Sequence, residues 1–365
     1  MKILVISFAG IGDTLLATPF LRALRQSFPG AVIEVFVMYA GAKDLLDGNP
    51  CINTIHQHNF FKESSLSNLK FIWDLRRQHY DISINVYPQS KIHYRLIAWL
   101  IHAPKRLSHR YENYWFVDHL LTNLTTEEDY QVHCIQSNLN LLKLLHAAPV
   151  ETATLEPEIF FTSGEVDWAE DFLRKSQLTE STLFGLHVGS GKTKNLILKR
   201  WPVDSYIRLL EKLLVAYPNV AVLLFGGPEE QEDNEQILRA IQHPRLLRVP
   251  SRTMKQAAAL LKRCDLFLSV DNAFMHLAAA MKVPQQIVIE SPTFNKTIEP
   301  YHRPFRLVRN PLVAGRNLEH YRYNGRDIQG GREHLLACMR SISPEAVFKE
   351  IQGALAQLPA RAVVR

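Results

Sequence analysis

Two rhythms of apolar positions alternate along the chain. Short unbroken runs of strand length occur at Ile3–Ser7, Ala31–Val37, Asp81–Val86, Ser181–Val188, Val220–Phe225, Leu266–Val270 and Gln286–Ile289. Between them, apolar residues recur three and four positions apart, as in Leu16, Phe20, Ala23, Leu24 and Phe28, or Val203, Tyr206, Leu210, Leu213 and Tyr217. The first rhythm marks strands buried on both faces and the second marks amphipathic helices. Helices are predicted in the same way over Leu66–His79, Ile92–Ile101, Met254–Arg263 and the segment holding Ile135, Leu139, Leu142 and Leu145. Strands that alternate with helices predict an α/β fold, with parallel sheets covered by helices on both sides.

The alternation pauses at Ala147–Pro157, a stretch rich in Pro, Ala and Thr with no period of either kind. It reads as a linker between two domains, expected at residues 1–155 and 156–343. A terminal segment, 344–365, contains one more helix, Pro344–Leu358, with Ser343 placed to cap it and Pro344 suited to its first position. A length of 365 residues suffices for two separate cores.

Composition narrows the class. Hydrophobic content of 47% and charged content of 21% are those of a globular protein. No apolar run reaches the ~18 residues of a spanning helix, and Ile3–Ile6 is too short for a signal peptide, so the expected location is the cytoplasm. Cys51, Cys134, Cys264 and Cys338 show no metal or disulfide spacing and read as reduced thiols. A formal charge of +6 is modest and spread out, which suits an acidic partner or a solvated basic face and excludes a nucleic-acid stripe. The densest basic and aromatic stretch, Lys91 to Arg95 with Lys105, Arg106, His109, Arg110 and Tyr111, suits either an anionic acceptor or plain solvation.

Candidate chemistry lies where strands hand over to helices. Gly10-Ile-Gly12 fails the dinucleotide fingerprint, because the third glycine would fall at Leu15. Its glycines leave Asp13 at a helix start, as a base or simply as a cap. Gly189-Ser-Gly-Lys-Thr193 fails the phosphate-loop spacing, since Gly185 stands one residue too early. A glycine-rich strand exit still offers N–H groups to a phosphate. At Asp271-Asn272 a buried strand gives way to a helix with Phe274, Leu277, Ala278 and Met281 on one stripe. Either residue can cap it, and its first N–H groups would face an anion beyond the sheet.

The motifs in order resemble glycosyltransferase family 9, the ADP-heptose:lipopolysaccharide heptosyltransferases. The resemblance rests on Gly12-Asp13 with Leu15-Leu16-Ala-Thr-Pro19, His187-Val-Gly-Ser190 with Lys199-Arg-Trp-Pro202, Phe225-Gly-Gly-Pro-Glu229, and Ser269-Val-Asp271 with Met275-His-Leu-Ala-Ala-Ala280. It runs nearly end to end. It implies a GT-B fold, two Rossmann-like doubly wound domains facing across a cleft, with the acceptor on the first and the sugar nucleotide on the second. The last helix is then expected to cross back onto the first domain. Ala273 and Ser291 stand where relatives generally carry glycine, and His187-Val188 where they often carry His-Pro.

The resemblance implies roles residue by residue. Asp13 is the expected catalytic base and Lys199 the lysine that contacts the diphosphate. Gly189, Ser190 and the loop Asp271, Asn272, Ala273, Phe274, Met275 are expected at the phosphates, with His276 either there or bonding a neighbouring loop. Beside these, Glu229 or Glu230 (Glu230 taken as the candidate) suits the ribose hydroxyls or merely a solvated helix start, and Arg252 suits the nucleobase pocket or merely a solvated loop. Gly12, Lys91, Arg95 and Arg106 are the acceptor-side candidates. No cofactor is implied, the donor being a nucleotide sugar, ADP-heptose, and the partners being an anionic glycolipid acceptor and the inner membrane face. The chain has no Asp-x-Asp tripeptide, so transfer is expected to be metal-independent and, with one base, inverting. Transfer of a different sugar, or sensing without transfer, are the alternatives.

Overall fold

The computed structural model describes residues 1–112, 115–146, 151, 155–191, 195–317 and 330–358. Most of the expected linker at 147–157 lies outside the described residues, as do Lys192, Thr193 and 359–365. The chain forms two compact units, Met1–Phe160 with Lys296–Ile298, and Phe161–Asn295 with Glu299–Arg365.

In the first unit the elements follow as β1 (Lys2–Ser7), α1 (Ile11–Leu16), α2 (Thr18–Ser27), β2 (Val32–Val37), α3 (Ala40–Leu46), β3 (Thr54–Gln57) and α4 (Ser65–Arg76). Then come β4 (Ile82–Asn85), α5 (Ile92–Ile101), β5 (Lys105–Arg110), α6 (Asp118–Leu121), β6 (Leu124–Glu127) and α7 (Cys134–Asn140). All six strands are parallel, in the order β3-β2-β1-β4-β5-β6. Strand β1 is central, registered from Lys2↔Val32 on one side and from Ile3↔Ile82 on the other. Its alternate residues Leu4 and Ile6, continued by Phe8, share one core cluster with Leu75 of α4 and Tyr94, Ala98 and Ile101 of α5.

Strand β5 was read from sequence as a basic surface. Its ends, Lys105 and Arg110, are exposed, while Leu107, Ser108 and His109 are buried between β4 and β6. Charge at the rims of a short strand hid the buried middle.

The second unit repeats the wind. It contains α8 (Ser163–Lys175), β7 (Thr182–His187), α9 (Val203–Ala216), β8 (Val220–Phe225), α10 (Gln231–Ala240), β9 (Leu246–Arg248) and α11 (Met254–Leu261). It continues with β10 (Leu266–Ser269), α12 (Ala273–Ala280), β11 (Gln285–Ile289), β12 (Arg306–Val308), α13 (Arg332–Arg340) and α14 (Pro344–Leu355). The sheet order is β12-β11-β10-β7-β8-β9, again all parallel. Counted from its own first strand, each sheet therefore has the same doubly wound sequence of neighbours.

Helix α14 buries its stripe of Val347, Phe348, Ile351 and Ala354 in the second unit's core, in the cluster that holds Leu210 and Leu213 of α9, Ile287 and Ile289 of β11 and Val308 of β12. The strand edge at β11 and β12 would otherwise leave that apolar face uncovered. Arg306 fixes the docking through Gly353 O at 3.0 Å and Glu350 at 3.2 Å. The indole N–H of buried Trp201 donates to Ile342 O at 2.9 Å, just ahead of the helix.

His109 makes the first unit sensitive to pH. Its Nε2 lies 2.9 Å from Ser137 O, and burial lowers its pKa from 6.5 to about 4, against the opposing pull of that carbonyl. The unfolded chain therefore takes up this proton near pH 6.5 while the folded chain stays neutral down to about 4. Stability from this group is full above 6.5 and falls as pH drops through that window, by at most roughly 1.4 kcal/mol per pH unit. In denaturant titrations over pH 7 to 4, His109→Gln should show a flatter decline than the parent; parallel declines would exclude His109 as the cause.

Candidate active site

In a doubly wound sheet, ligands meet the carboxyl ends of the two strands whose connections diverge. Those strands are β1 with β4 in the first unit, and β7 with β10 in the second.

In the first unit the chain leaves β1 and enters α1 with Asp13 in the first turn, where unpaired N–H groups favour a carboxylate. The hydroxyls of Ser7 and Thr14 meet at 2.8 Å, and Thr14 Oγ1 donates to Gly10 O at 3.0 Å, so strand end and loop are tied together. A Cβ on Gly10 would come within 2.9 Å of Asp13 Oδ2, so a larger residue there would push on that carboxylate. Burial first, and then the Asp13 carboxylate, pushes the Cys134 thiol up, and the same carboxylate contributes to the raised pKa of Tyr111. Asp13 thus stands half-buried near Tyr111 and Cys134. Gly12 is buried in the backbone of α1.

In the second unit Asn272, rather than Asp271, caps α12. Its Oδ1 accepts from Met275 N at 3.1 Å, and its Nδ2 donates to Gly189 O at 2.9 Å and meets His187 Nδ1 at 3.1 Å. One side chain therefore ties the two loops at the carboxyl ends of β7 and β10. The cap satisfies Met275, which leaves the N–H groups of Ala273 and Phe274 without intrahelical acceptors. Ala273 has an ordinary negative φ, so glycine is not required there. Ser190, buried on the adjoining loop, carries a hydroxyl with no hydrogen-bond partner among the described residues. Phe274 lies beneath, stacked on His187 with ring centroids 4.2 Å apart, and Met275 packs against Val288 and Phe294. His276 is buried too.

Asp271 holds the loop from behind. Its Oδ2 accepts from Lys199 Nζ at 2.9 Å and from Thr293 Oγ1 at 2.8 Å, and its Oδ1 accepts from Ser291 Oγ. Lys199 also donates to Asp271 O at 2.6 Å. Both side chains of the pair are more than nine-tenths buried. Ser291, noted as a departure, thus supplies a hydroxyl that orients Asp271.

The other loop is held by Arg200, a residue for which sequence assigned no role. Its Nη2 donates to Ser190 O at 2.6 Å and its Nη1 to Asp233 at 2.6 Å. Glu230 is caught between, accepting from Gly227 N at 2.9 Å and from Arg200 at 3.2 Å, with His187 Nε2 at 3.7 Å. Burial works to raise the Glu230 pKa, yet His187, the Gly227 N–H and Arg200 hold it below the usual carboxylate value. A Cβ on Gly189 would collide with the Glu230 side chain, so any other residue there would have to displace that carboxylate from Arg200. Glu230 and Asp233, three residues apart at the start of α10, are the signal in the sequence for an arginine partner. Beside these loops, a cavity of about 690 Å³ opens at the carboxyl ends of β8 and β9, lined among others by Gly227, Arg248, Pro250 and Arg252.

Two acceptor-side candidates are overturned. Arg95 is wholly buried, its Nε donating to Asp118 and its Nη1 to Ser90 O at 3.1 Å. Arg106 donates to Leu121 O and Ala103 O, each at 2.8 Å, and ties α6 to the end of α5; burial lowers its pKa. Arg95 is a structural donor in the core, and Arg106 is a half-buried one whose guanidinium is spent on backbone carbonyls. Lys91 is half-buried and precedes α5 as its N-cap residue.

A family model described as "Glycosyltransferase family 9 (heptosyltransferase)" matches residues 68–323, more than half of the chain. The chain is 25% identical over 285 residues to lipopolysaccharide heptosyltransferase 3 of Escherichia coli (strain K12), covering 75% of this chain and 78% of that protein. It is 25% identical to lipopolysaccharide heptosyltransferase 2 of Salmonella typhimurium, over 98% of this chain and 99% of that one. The structure titled as E. coli ADP-heptose lps heptosyltransferase II superposes with a TM-score of 0.69 at 22% identity, covering 98% and 99% of the two chains.

Breaking the buried pair has a defined cost. Lys199→Met leaves the Asp271 carboxylate desolvated with hydroxyl partners alone, and should lower unfolding free energy by roughly 3–5 kcal/mol. Ser291→Ala should cost about 1–2 kcal/mol. Urea unfolding of both variants checks the order; an unaltered Lys199→Met midpoint would contradict a structural ion pair.

Proposed function

The chain belongs to glycosyltransferase family 9, the heptosyltransferases, and we propose that it moves a heptose from ADP-heptose to a lipopolysaccharide core acceptor. Its two doubly wound units give it the GT-B fold. The observation that carries the donor reading is the meeting of two features at adjoining strand exits: the first N–H groups of α12, which have no intrahelical acceptor, and the buried Ser190 hydroxyl, without a hydrogen-bond partner among the described residues. Such a seat suits a diphosphate, since N–H dipoles and a hydroxyl meet phosphate oxygens without a reorganisation cost. Similarity to heptosyltransferases, one of them titled with ADP-heptose, supports the choice of sugar and nucleotide.

In the proposed reaction Asp13 takes the proton of an acceptor hydroxyl as its oxygen attacks the anomeric carbon. The bond from that carbon to the β-phosphate oxygen breaks, and ADP leaves with the electron pair. A single displacement inverts the anomeric centre. Charge gathers on the β-phosphate, where the N–H groups of Ala273 and Phe274, Ser190 and the third N–H of Lys199 receive it. Lys199 spends its other two donors on Asp271, so its first task is to hold the loop. Glu230 lies beside the cavity that suits the nucleoside, with Arg252 on its wall toward the base. Lys91 and Gly12 remain the acceptor-side candidates. The acceptor is read as an anionic glycolipid, met from the cytoplasm at the inner membrane, and transfer is read as metal-independent.

The test incubates the protein with ADP-heptose, ADP-glucose, UDP-glucose or GDP-mannose, with and without heptose-free lipopolysaccharide, in EDTA and in magnesium. ADP release should require both ADP-heptose and acceptor, survive EDTA, and fall by about a hundredfold or more in Asp13→Asn. Turnover of another donor would replace the sugar; a dependence on magnesium, or an active Asp13→Asn, would overturn the mechanism.

A further inference from the structure

Ten of the sixteen large hydrophobic side chains that stand exposed among the described residues fall between Phe61 and Leu120. They include three of the chain's five tryptophans. On α4, Leu66, Leu69 and Trp73 form an outward stripe at i, i+3 and i+7; on α5, Ile92, Leu96 and Trp99 do the same at i, i+4 and i+7. The two helices pack side by side, and α6 packs on α5. Ahead of α6, Trp115 and Phe116 are 64% and 61% exposed, with ring centroids 4.4 Å apart.

Position and charge give this face a direction. Strands β3, β4 and β5 are parallel members of one sheet, so their carboxyl ends open on one edge. The chain leaving them runs into Phe61 and Leu66, into Ile92, and into Trp115 and Phe116. The loop from β1 that carries Asp13 opens on the same edge. Leaving out the buried Arg95–Asp118 pair and Arg106, residues 61–121 hold seven Lys and Arg against four Asp and Glu. Exposed tryptophans with cationic neighbours are the chemistry of a bilayer interface, where indoles sit at headgroup depth and Lys and Arg meet lipid phosphates. No helix among the described residues is long and apolar enough to cross a membrane, so the contact would be peripheral.

We propose that the outer face of α4, α5 and the Trp115–Leu120 segment is a docking surface for an anionic lipid bilayer, which brings the Asp13 edge to a membrane-embedded acceptor. The biological sense of this contact rests on the glycolipid reading above, but the contact itself does not require transfer.

The test is flotation of the full-length protein, without sugar nucleotide, on phosphatidylcholine vesicles with and without phosphatidylglycerol. Binding should require phosphatidylglycerol, weaken as salt rises, and shift tryptophan emission to the blue. The double variant Leu96→Ser/Trp99→Ser should bind at least about tenfold more weakly. Its thermal midpoint and its transfer to a lipid-free acceptor fragment should stay unchanged, because both side chains are exposed. Absence of vesicle binding, or binding indifferent to the double variant, would overturn the proposal. So would a concentration-dependent dimer that the double variant disperses, which would assign the face to a second copy. A protein that docks and shows no transfer would fail the functional reading alone.

Discussion

The buried pair of Lys199 and Asp271 is the constraint on which the second unit's site depends. A carboxylate and an ammonium withdrawn from water are tolerable only together, and only with their remaining hydrogen bonds satisfied. Lys199 lies in the loop after β7, Asp271 after β10, and Ser291 and Thr293 after β11. Three strand exits are thereby locked into one arrangement. The start of α12 can then present Ala273 and Phe274 at a fixed place, and Asn272 spans to Gly189 without strain. Arg200 does the corresponding work on the other side, holding Ser190 and the start of α10.

The architecture explains why chemistry collects there. In each unit, connections from the two central strands diverge to opposite faces of the sheet and leave their carboxyl ends open. In the first unit that opening carries Asp13, in the second the capped start of α12 and Ser190. Glycine is used sparingly and for space: Gly10 yields to the Asp13 carboxylate and Gly189 to Glu230.

Much of this was legible in the sequence, for physical reasons. Long apolar runs such as Val220–Phe225 can only be central strands, and the break at Asp271-Asn272 announces a capped helix. Short or charged strands were not legible: β5 carries Lys105, Arg106 and Arg110 around a buried centre, and β9 and β12 have three residues each. Among the site residues, positions were easier to find than partners. Lys199 was expected to face a phosphate and is first an ion pair, and Arg95 was expected at the surface and neutralises Asp118 in the core. Sequence spacing cannot show which charges meet across 72 residues, as Lys199 and Asp271 do. The same limit hid the role of Ser291 until its hydroxyl was placed beside Asp271.

The most direct test of the account is a crystal structure of the protein with ADP bound. The account predicts diphosphate oxygens within hydrogen-bond distance of Ala273 N, Phe274 N and Ser190 Oγ, with the Lys199–Asp271 pair intact behind them. A diphosphate bound elsewhere, with the start of α12 and the Ser190 hydroxyl still unengaged, would contradict it.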